Sequence, residues 1–283
     1  MEFYKKQYYP DNSFYVEVNE FKSDFTFRIN NYDGLWVLNQ INDIYKNNNL
    51  KATVSIPNLF TAQEDRRFNS NESSGLKLVC NFLNSLSNFN YKIFHPHNAE
   101  VVEALLDRVE IIDNSRFIDN VLAKLMMTYT PSEGLITSNT LEKNLILMSS
   151  DAGGFKSLMK LADKLTWKGE TFSASKSRKY EEGKSKLLQQ IDRQDFNGKD
   201  ILIIDDICVY GGTFKGLAKM LRERNCGKLY LAVSHMTVEN LGEDPVTDYF
   251  DRVYTTNSKF EFYDKPEKYH GDRLDNLEII KLF

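Results

Sequence analysis

The stretch ILIIDDICVYGGTF, residues 201–214, decides the fold. Its branched aliphatic residues predict a buried strand, and two adjacent carboxylates, Asp205 and Asp206, stand at the carboxyl end of that strand. A Gly-Gly-Thr sequence at residues 211–213 then leads into the apolar periodicity of a helix. Because two neighbouring anions repel each other, we expect a ligand or a cation to offset their charge.

The chain of 283 residues has the composition of an ordinary globular protein, with 41% apolar and 27% charged residues. Its net charge of −4 predicts no general affinity for nucleic acid or for anionic membranes. The 3 cysteines are widely spaced, which favours neither a disulfide framework nor a CxxC metal site. With no run of about 18 apolar residues and no signal-peptide pattern, the sequence predicts a soluble cytoplasmic protein without nucleic-acid or membrane partners.

Short β-rich runs alternate with longer helical patterns along the chain, which favours an α/β protein with mainly parallel sheets. The pattern breaks around residues 128–140 and then begins again. We therefore predict two tandem α/β domains, residues 1–132 and 133–283. The closing sequence LDNLEIIKLF, residues 274–283, is expected to supply a last strand or helix that packs back on the first domain.

Two strand-to-helix joints in the second half share one design. ILMSSDAGGFKSLMKLADKL, residues 146–165, places Asp151 and a pair of glycines between a strand and a helix, as the opening stretch does with its own carboxylates. In open α/β sheets ligands bind at this edge, and the first backbone N–H groups of a helix bind phosphate. Glycine lets the backbone approach a phosphate closely, and carboxylates suit sugar hydroxyls or Mg2+. Together the two joints predict a phosphosugar site.

Each feature also has a plainer alternative. Asp205 alone could cap the following helix, and Gly211 with Gly212 could form no more than a tight turn. The charged stretch SASKSRKYEEGKS, residues 173–185, is by itself typical of a solvated loop. Only the order of these segments along the chain favours a shared site.

The opening stretch resembles the phosphoribosyl diphosphate (PRPP) motif of the type I phosphoribosyltransferase fold, in residues 201–206 and 211–213. Other segments resemble the ribose-phosphate diphosphokinases, or PRPP synthases. In chain order these are YYPDNSFYVEV at 8–18, IPNLFTAQEDRR at 56–67, IFHPHNAEVVEAL at 93–105, SSDAGG at 149–154 (SPDAGG in the family) and the charged segment at 173–185. The resemblance implies two tandem phosphoribosyltransferase-like (Rossmann-like) domains, the first on the ATP side and the second on the ribose 5-phosphate side.

The resemblance also implies an enzyme that transfers the β,γ-diphosphoryl group of ATP to O1 of ribose 5-phosphate, giving PRPP and AMP with Mg2+. Such a transfer gains mostly from positioning and from cations that neutralise the phosphoryl oxygens. The family's catalytic cations fall on Lys176 and Arg178, in a mobile loop that would also exclude water. A homo-oligomer of at least two chains is implied as well, because in the family the adenine loop of one subunit completes its neighbour's site.

The same resemblance assigns binding roles to residues of both domains. The residues expected at ribose 5-phosphate or PRPP are Asp151, Gly153, Gly154, Asp205, Asp206, Gly211, Gly212 and Thr213. Those expected at ATP are Tyr9, Asp11, Asp65, Arg66 and His97, and those expected near the metal are His97 and Asp151. Tyr9 alone could equally be a packing aromatic, and the HPH sequence has no third nearby His or Cys to complete a zinc site.

Several positions depart from the family pattern. Gln63 and Glu64 stand where Arg and Gln are usual, and His95 replaces an Asp. Val209 and Tyr210 replace an acidic or small residue followed by Thr or Gly, in the loop that must wrap the 5-phosphate. Two alternatives therefore stay open, namely a catalytically weak regulatory subunit and a phosphoribosyltransferase that consumes PRPP.

Overall fold

The computed structural model describes residues 3–67, 69–128, 138–181, 184–237, 244–259 and 275–283. The chain forms two compact units, Met1–Asp113 with Phe283, and Asn114–Leu282. The domain boundary predicted between residues 132 and 133 falls outside the described residues. The helix before it, α4 (Ser115–Thr128), belongs to the second unit by its contacts.

The first unit combines a short hairpin with a parallel sheet. The hairpin consists of two antiparallel strands, β1 (Tyr4–Tyr8) and β2 (Phe14–Val18). The sheet consists of β3 (Asp24–Thr26), β4 (Ala52–Ile56), β5 (Phe89–Phe94) and β6 (Val109–Ile112), in that spatial order. The helices between them are α1 (Tyr32–Asn47), α2 (Gly75–Ser85) and α3 (Ala99–Leu105). Each sheet strand is thus joined to the next through a helix, which is the connection that parallel strands need.

Local sequence explains the first of these helices. Asn31 is the N-cap of α1, and its side chain accepts a hydrogen bond from the backbone N–H of Gly34. Apolar residues of α1, including Leu38 and Ile41, lie on its buried face. They belong to the same hydrophobic core as alternate residues of β4, such as Val54, so helix and strand bury each other's apolar faces.

The second unit is built on a six-stranded parallel sheet. Its strands are β7 (Leu145–Ser149), β8 (Thr171–Ser173), β11 (Asp200–Cys208), β12 (Leu229–Met236), β13 (Arg252–Thr256) and β14 (Leu277–Ile280), in the spatial order β14-β13-β12-β11-β7-β8. Besides α4 it contains α5 (Ser138–Asn144), α6 (Ala152–Lys164), α7 (Gly212–Glu223) and a 3-10 helix at Val246–Tyr249. The predicted α/β fold with mainly parallel sheets is confirmed.

The strand order places a topological switch point between β7 and β11. From β7 the chain runs through α6 outward to β8, and it later returns to β11 on the opposite side of β7. The strands β7 and β12 are buried along their whole length, as expected for strands that are covered on both faces. In open α/β sheets, ligands bind beyond the carboxyl ends of the strands at such a point.

The charged segment after β8 forms an antiparallel ribbon, where the sequence indicated a mobile loop. Its strands are β9 (Ser175–Glu181) and β10 (Lys184–Gln190), and residues 182 and 183 between them lie outside the described part of the chain. The register pairs Lys176 with Gln189 and Arg178 with Leu187. Composition alone missed this pairing, because the ribbon is made by backbone N–H and C=O groups that every residue carries.

The closing segment forms β14, which pairs in parallel with β13 inside the second unit. Phe283 is grouped with the first unit, where its ring centroid lies 5.2 Å from that of Phe94. Within the described ranges, no helix has both the length and the apolar character that crossing a bilayer requires.

Candidate functional site

The two predicted joints meet at the carboxyl ends of β7 and β11. Ser149 pairs with Ile204 across these strands, so the residues that follow, Ser150 and Asp205, lie side by side. The Ser150 hydroxyl donates a hydrogen bond to Oδ2 of Asp205. The backbone N–H of Asp206 donates to Oδ1 of the same carboxylate over 2.9 Å. Both oxygens of Asp205 are therefore held in one orientation at the switch point of the sheet.

Asp205 carries a charge that the surrounding protein stabilises poorly. Burial and the charge of the neighbouring Asp206 raise the pKa of Asp205 to about 7, although the hydrogen bond from Ser150 acts in the opposite direction. An ionised Asp205 therefore gains from a further hydrogen-bond donor or a positive charge, such as a sugar hydroxyl or a hard cation. This is the compensation that the adjacent carboxylates of the opening stretch require.

The turn after β11 has the shape of a phosphate cradle. Gly211 has a φ of 74°, in the left-handed region, and a Cβ at this position would lie 2.6 Å from Cβ of Val246. Backbone conformation and space therefore both require glycine. Gly212 begins α7, and a Cβ built on it would meet no atom within 4 Å. The N-terminus of this helix, which continues with Thr213, borders open space into which its first N–H groups can bind an anion.

Tyr210 does not obstruct this turn. The sequence suggested that its bulk would crowd a loop that wraps a phosphate, but its side chain is 69% exposed to solvent. The space beside Gly212 stays open, and Val209 is half-buried ahead of the turn. The departure from the family pattern at this point is therefore compatible with binding of a phosphate.

The first joint is held by a helix cap. Oδ1 of Asp151 accepts a hydrogen bond from the backbone N–H of Gly154 over 2.9 Å, at the start of α6. A Cβ on Gly153 would lie 3.2 Å from the same oxygen, so this position also favours glycine.

At the second joint, the N-cap of α7 is Gly211, which means that the helix-capping alternative considered for Asp205 is wrong.

The ribbon that carries the predicted catalytic cations starts at the edge of the same sheet. Lys176 and Arg178 lie on β9, which follows the edge strand β8 along the chain, and their side chains are outside the described part of the structure. Arg193, just after β10, forms an ion pair with Glu170, just before β8. Nζ of Lys199 lies 3.2 Å from the other oxygen of Glu170, so a small ionic network ties the two ends of the ribbon together.

In the first unit, Tyr9 and Asp11 lie in the turn between β1 and β2. Oδ1 of Asp11 accepts hydrogen bonds from the backbone N–H of Ser13 over 3.0 Å and from its hydroxyl over 2.7 Å, and these bonds lower the pKa of Asp11. The ring of Tyr9 is 54% exposed and lies 5.5 Å from the ring of Tyr15. Asp11 therefore shapes the turn, while Tyr9 presents an aromatic face on which a base can stack.

Asp65 lies at the point where two predicted ATP segments meet. Its side chain is only 7% exposed, and Nδ2 of Asn98 donates to its Oδ2 over 3.1 Å. Asn98 is also the N-cap of α3, since its side chain accepts a hydrogen bond from the backbone N–H of Val101. Arg66 is exposed beside Asp65, and His97 is exposed beside Asn98. The structure thus brings together three of the predicted ATP residues, through an asparagine that sequence reasoning missed.

His95 has an unusual backbone conformation next to this cluster. Its φ of 38° lies in the left-handed region, which non-glycine residues seldom adopt, and its N–H donates to the carbonyl oxygen of Ile112 over 2.7 Å. The residue that replaces the family's Asp therefore marks a sharp turn at the end of β5, just before the exposed His97.

Metal binding remains a prediction. No three His, Cys, Asp or Glu side chains converge into a metal site among the described residues. His97 belongs to the first unit and Asp151 to the second. The donor chemistry at the switch point nevertheless fits a hard cation, because two adjacent carboxylates, one of them Asp205 with its raised pKa, would be stabilised by Mg2+.

The chain resembles known proteins over most of its length. The phosphoribosyl transferase domain family matches residues 134–268. The phosphoribosylpyrophosphate synthetase of Mycobacterium smegmatis has a crystal structure that matches with a TM-score of 0.71 at 16% identity, over 98% of this chain and 85% of that one. Its agreement over both units supports two tandem domains of one fold.

The ribose-phosphate pyrophosphokinase of Sulfolobus acidocaldarius is 24% identical over 225 residues, which span 79% of this chain and 69% of the relative. That of Sulfurisphaera tokodaii is 25% identical over 225 residues, spanning 79% and 70% of the two chains. The chain is thus similar to the ribose-phosphate pyrophosphokinases over most of its length. The predicted resemblance is thereby confirmed, and the ribose-phosphate pyrophosphokinases are enzymes of the transferase class.

Two residues of this chain escaped sequence reasoning, and both form a hydrogen bond with a predicted site residue. Ser150 holds Asp205, and Asn98 holds Asp65. A polar residue directly beside a motif residue, Asp151 for Ser150 and His97 for Asn98, was the available signal in each segment. Its partner could not be read from the sequence, because 55 residues separate Ser150 from Asp205 and 33 separate Asn98 from Asp65.

Proposed function

We propose that this chain is a Mg2+-dependent ribose-phosphate diphosphokinase that transfers the diphosphoryl group of ATP to O1 of ribose 5-phosphate. One observation carries the proposal beyond the similarity to ribose-phosphate pyrophosphokinases. The oriented carboxylate of Asp205 stands at the end of the same strand that leads into the open, glycine-lined N-terminus of α7. A sugar phosphate has these two groups, hydroxyls for a carboxylate and an anion for a helix N-terminus, at opposite ends.

The proposed roles in the second unit follow from that arrangement. Gly211, Gly212 and Thr213 bind the 5-phosphate through the backbone N–H groups and the threonine hydroxyl. Asp205 and Asp206 accept hydrogen bonds from the ribose hydroxyls, which offsets the charge that raises the pKa of Asp205. The sugar is thereby fixed with its O1 end available for reaction, and such positioning supplies much of the rate in phosphoryl transfer.

In the proposed reaction, O1 of ribose 5-phosphate forms a bond to the β-phosphorus of ATP. The bond from that phosphorus to the oxygen bridging to the α-phosphate breaks, and AMP leaves with the oxygen and its electron pair, while the O1 proton passes to solvent. Negative charge grows on the leaving oxygen and spreads over the transferred group. Lys176 and Arg178 on β9 are proposed to stabilise this charge, because cations placed at developing charge lower the barrier.

The first unit is proposed to bind ATP. Tyr9 provides the exposed ring for the adenine, and Asp11 shapes the turn that presents it. Arg66 and His97 lie beside the Asp65–Asn98 pair and suit the phosphates. His97 and, in the second unit, Asp151 are the proposed protein contacts of Mg2+, which when bound with the phosphates would neutralise charge on the transferred group.

The test is a direct assay of purified protein with ATP, Mg2+ and ribose 5-phosphate, in which AMP and PRPP are both quantified. We expect equal amounts of the two products, and we expect Lys176→Ala and Arg178→Ala each to lower kcat about 100-fold or more. Lys160→Ala, which removes an exposed lysine on α6, is the matched control and should keep full activity. Absence of both products from the wild type over a range of Mg2+ and phosphate concentrations would overturn the proposal.

One observation favours the alternative of a catalytically weak regulatory subunit. The carboxylate of Glu64 occupies the space beside Gly75, the first residue of α2, where a negative charge would repel an approaching phosphate. If the wild type binds ribose 5-phosphate but turns over slowly, Glu64→Gln should raise kcat/KM for ATP. No change in this variant would remove the support that Glu64 gives to the regulatory alternative.

The family resemblance also leads us to propose a homo-oligomer of at least two chains. Sedimentation velocity of the purified protein at several concentrations tests this, and a monomer at every concentration would contradict it.

A further inference from the structure

We propose that Ser150 is a positioning residue for ribose 5-phosphate, which orients the carboxylate of Asp205 toward the sugar hydroxyls. The inference rests on the proposed function and names a residue that the PRPP motif does not contain. Ser150 is 3% exposed and lies immediately after β7, beside the strand end that carries Asp205. Its hydroxyl is thus placed where the two joints of the site meet.

The hydrogen bonds fix Asp205 from two sides. Ser150 donates to Oδ2 and the backbone N–H of Asp206 donates to Oδ1. The side chain of Asp206 also shares a hydrogen bond with this carboxylate. Because each carboxylate oxygen can accept two hydrogen bonds, an acceptor position still remains for a ligand. Because both oxygens are already bonded to the protein, the plane of the carboxylate is set before any sugar arrives. Ribose hydroxyls then meet an acceptor that does not need to be reoriented.

The neighbouring serine has a different task. The Ser149 hydroxyl donates to the carbonyl oxygen of Asp151 over 2.9 Å and lies 3.0 Å from the hydroxyl of Ser173 on the edge strand β8. Ser149 therefore joins β7 to the first joint and to β8, whereas Ser150 joins β7 to Asp205. The second serine of the SSDAGG segment is the one directed at the ribose side of the site.

Two departures from the related segments make this hydrogen bond a property of this chain. The SPDAGG segment has proline at the position of Ser150, and proline has no hydroxyl to donate. Val209 stands where an acidic or small residue is common, so this chain has no carboxylate at that point of the loop. A site with fewer acceptors for the sugar depends more strongly on the orientation of those it keeps.

The test compares ribose 5-phosphate and inorganic phosphate as calorimetric ligands of the full chain, beside steady-state kinetics. For Ser150→Ala we expect the Kd and KM for ribose 5-phosphate to rise about tenfold, since a lost hydrogen bond to a charged group has an effect of that order. We expect the KM for ATP and the Kd for inorganic phosphate to stay unchanged, while the Tm falls by a few degrees because buried Asp205 loses a donor. Ser150→Thr, which keeps the hydroxyl, should restore the affinity for ribose 5-phosphate. Ser157→Ala, which removes an exposed hydroxyl on α6, is the control.

The outcomes separate this inference from the proposed function. If the wild type binds ribose 5-phosphate and Ser150→Ala binds it equally well, the role of Ser150 is refuted while the function stands. An equal loss of affinity for ribose 5-phosphate and inorganic phosphate would assign Ser150 a merely structural role and also refute the inference. A wild type that binds no ribose 5-phosphate refutes the proposed function, and the inference falls with it.

Discussion

Replacing Asp205 by asparagine should stabilise the second unit at alkaline pH while it abolishes activity. The folded-state pKa of Asp205 is raised from 3.8 to about 7, so between these values the folded protein binds more protons than the unfolded chain. The free energy of unfolding therefore falls as the pH rises through this window. A pKa change of this size corresponds to about 4 kcal/mol of destabilisation above pH 7. Relaxation of the site and the coupling to Asp206 reduce what a substitution recovers, and we expect a gain of about 2 kcal/mol.

Asparagine can form the same two hydrogen bonds as Asp205 but carries no charge. Its Oδ1 can accept from the backbone N–H of Asp206, and its Nδ2 can donate to the Ser150 hydroxyl, which is able to accept. For a unit of this size, about 2 kcal/mol corresponds to a Tm rise of about 4–8 °C. The kcat/KM for ribose 5-phosphate should fall about 100-fold or more, because the carboxylate that accepts from the sugar is lost.

The assay is thermal unfolding of wild type and Asp205→Asn at pH 5, 6, 7 and 8, followed by calorimetry. The Tm difference should be smallest at pH 5, should grow up to about pH 7 and should then level off, because the cost of protonating Asp205 on folding builds up between its unfolded and folded pKa values. Asp163→Asn removes an exposed carboxylate on α6 and should show no such trend. A Tm difference that is independent of pH, or a variant less stable than wild type at pH 8, would refute the assignment of a strained charge to Asp205.

Three further substitutions test other parts of the site. Gly211→Ala should destabilise the second unit by about 2 kcal/mol or more and lower its affinity for inorganic phosphate, because the new Cβ would lie 2.6 Å from Val246 at a φ of 74°. Urea unfolding and calorimetry measure the two effects, and wild-type values would contradict the steric argument. Asn98→Ala should lower the free energy of unfolding by about 1–2 kcal/mol and raise the KM for ATP, because α3 loses its N-cap and Asp65 loses a hydrogen-bond donor. An unchanged KM would show that Asp65 has no role in ATP binding. Tyr210→Ala should leave the Tm and the phosphate affinity unchanged, since the side chain is 69% exposed, and a clear loss of either would place the ring inside the site.

Much of the fold could be predicted from the hydrophobic pattern of the sequence. The aliphatic run before Asp205 predicted a buried strand, and β11 is that strand at the centre of a parallel sheet. The expected helices after the two glycine-containing joints are α6 and α7. These elements were predictable because burial of apolar residues at fixed spacing is a local property of the sequence.

The elements that sequence reasoning missed are held by backbone pairing and show no pattern of apolar side chains. The pairing of β9 with β10 joins charged residues whose composition indicates a loop, and the short strand β8 has too few residues to show a period. Backbone pairing contributes to both, and the side chains carry little trace of it. The structure also places α4 in the second unit, a grouping that follows from contacts alone.

The sequence by itself determined the chemical groups of this protein: two carboxylates after a buried strand, glycines before a helix, and a joint of similar design earlier in the chain. Only the tertiary structure decided how these groups work together. The switch in strand order brings Ser150 against Asp205. The turn after β11 makes Gly211 rather than Asp205 the N-cap of α7 and leaves Tyr210 exposed. The physical reason is that hydrogen bonds and burial act over a few ångströms in space, whatever the separation along the chain, and the sheet order alone sets which strand ends are neighbours.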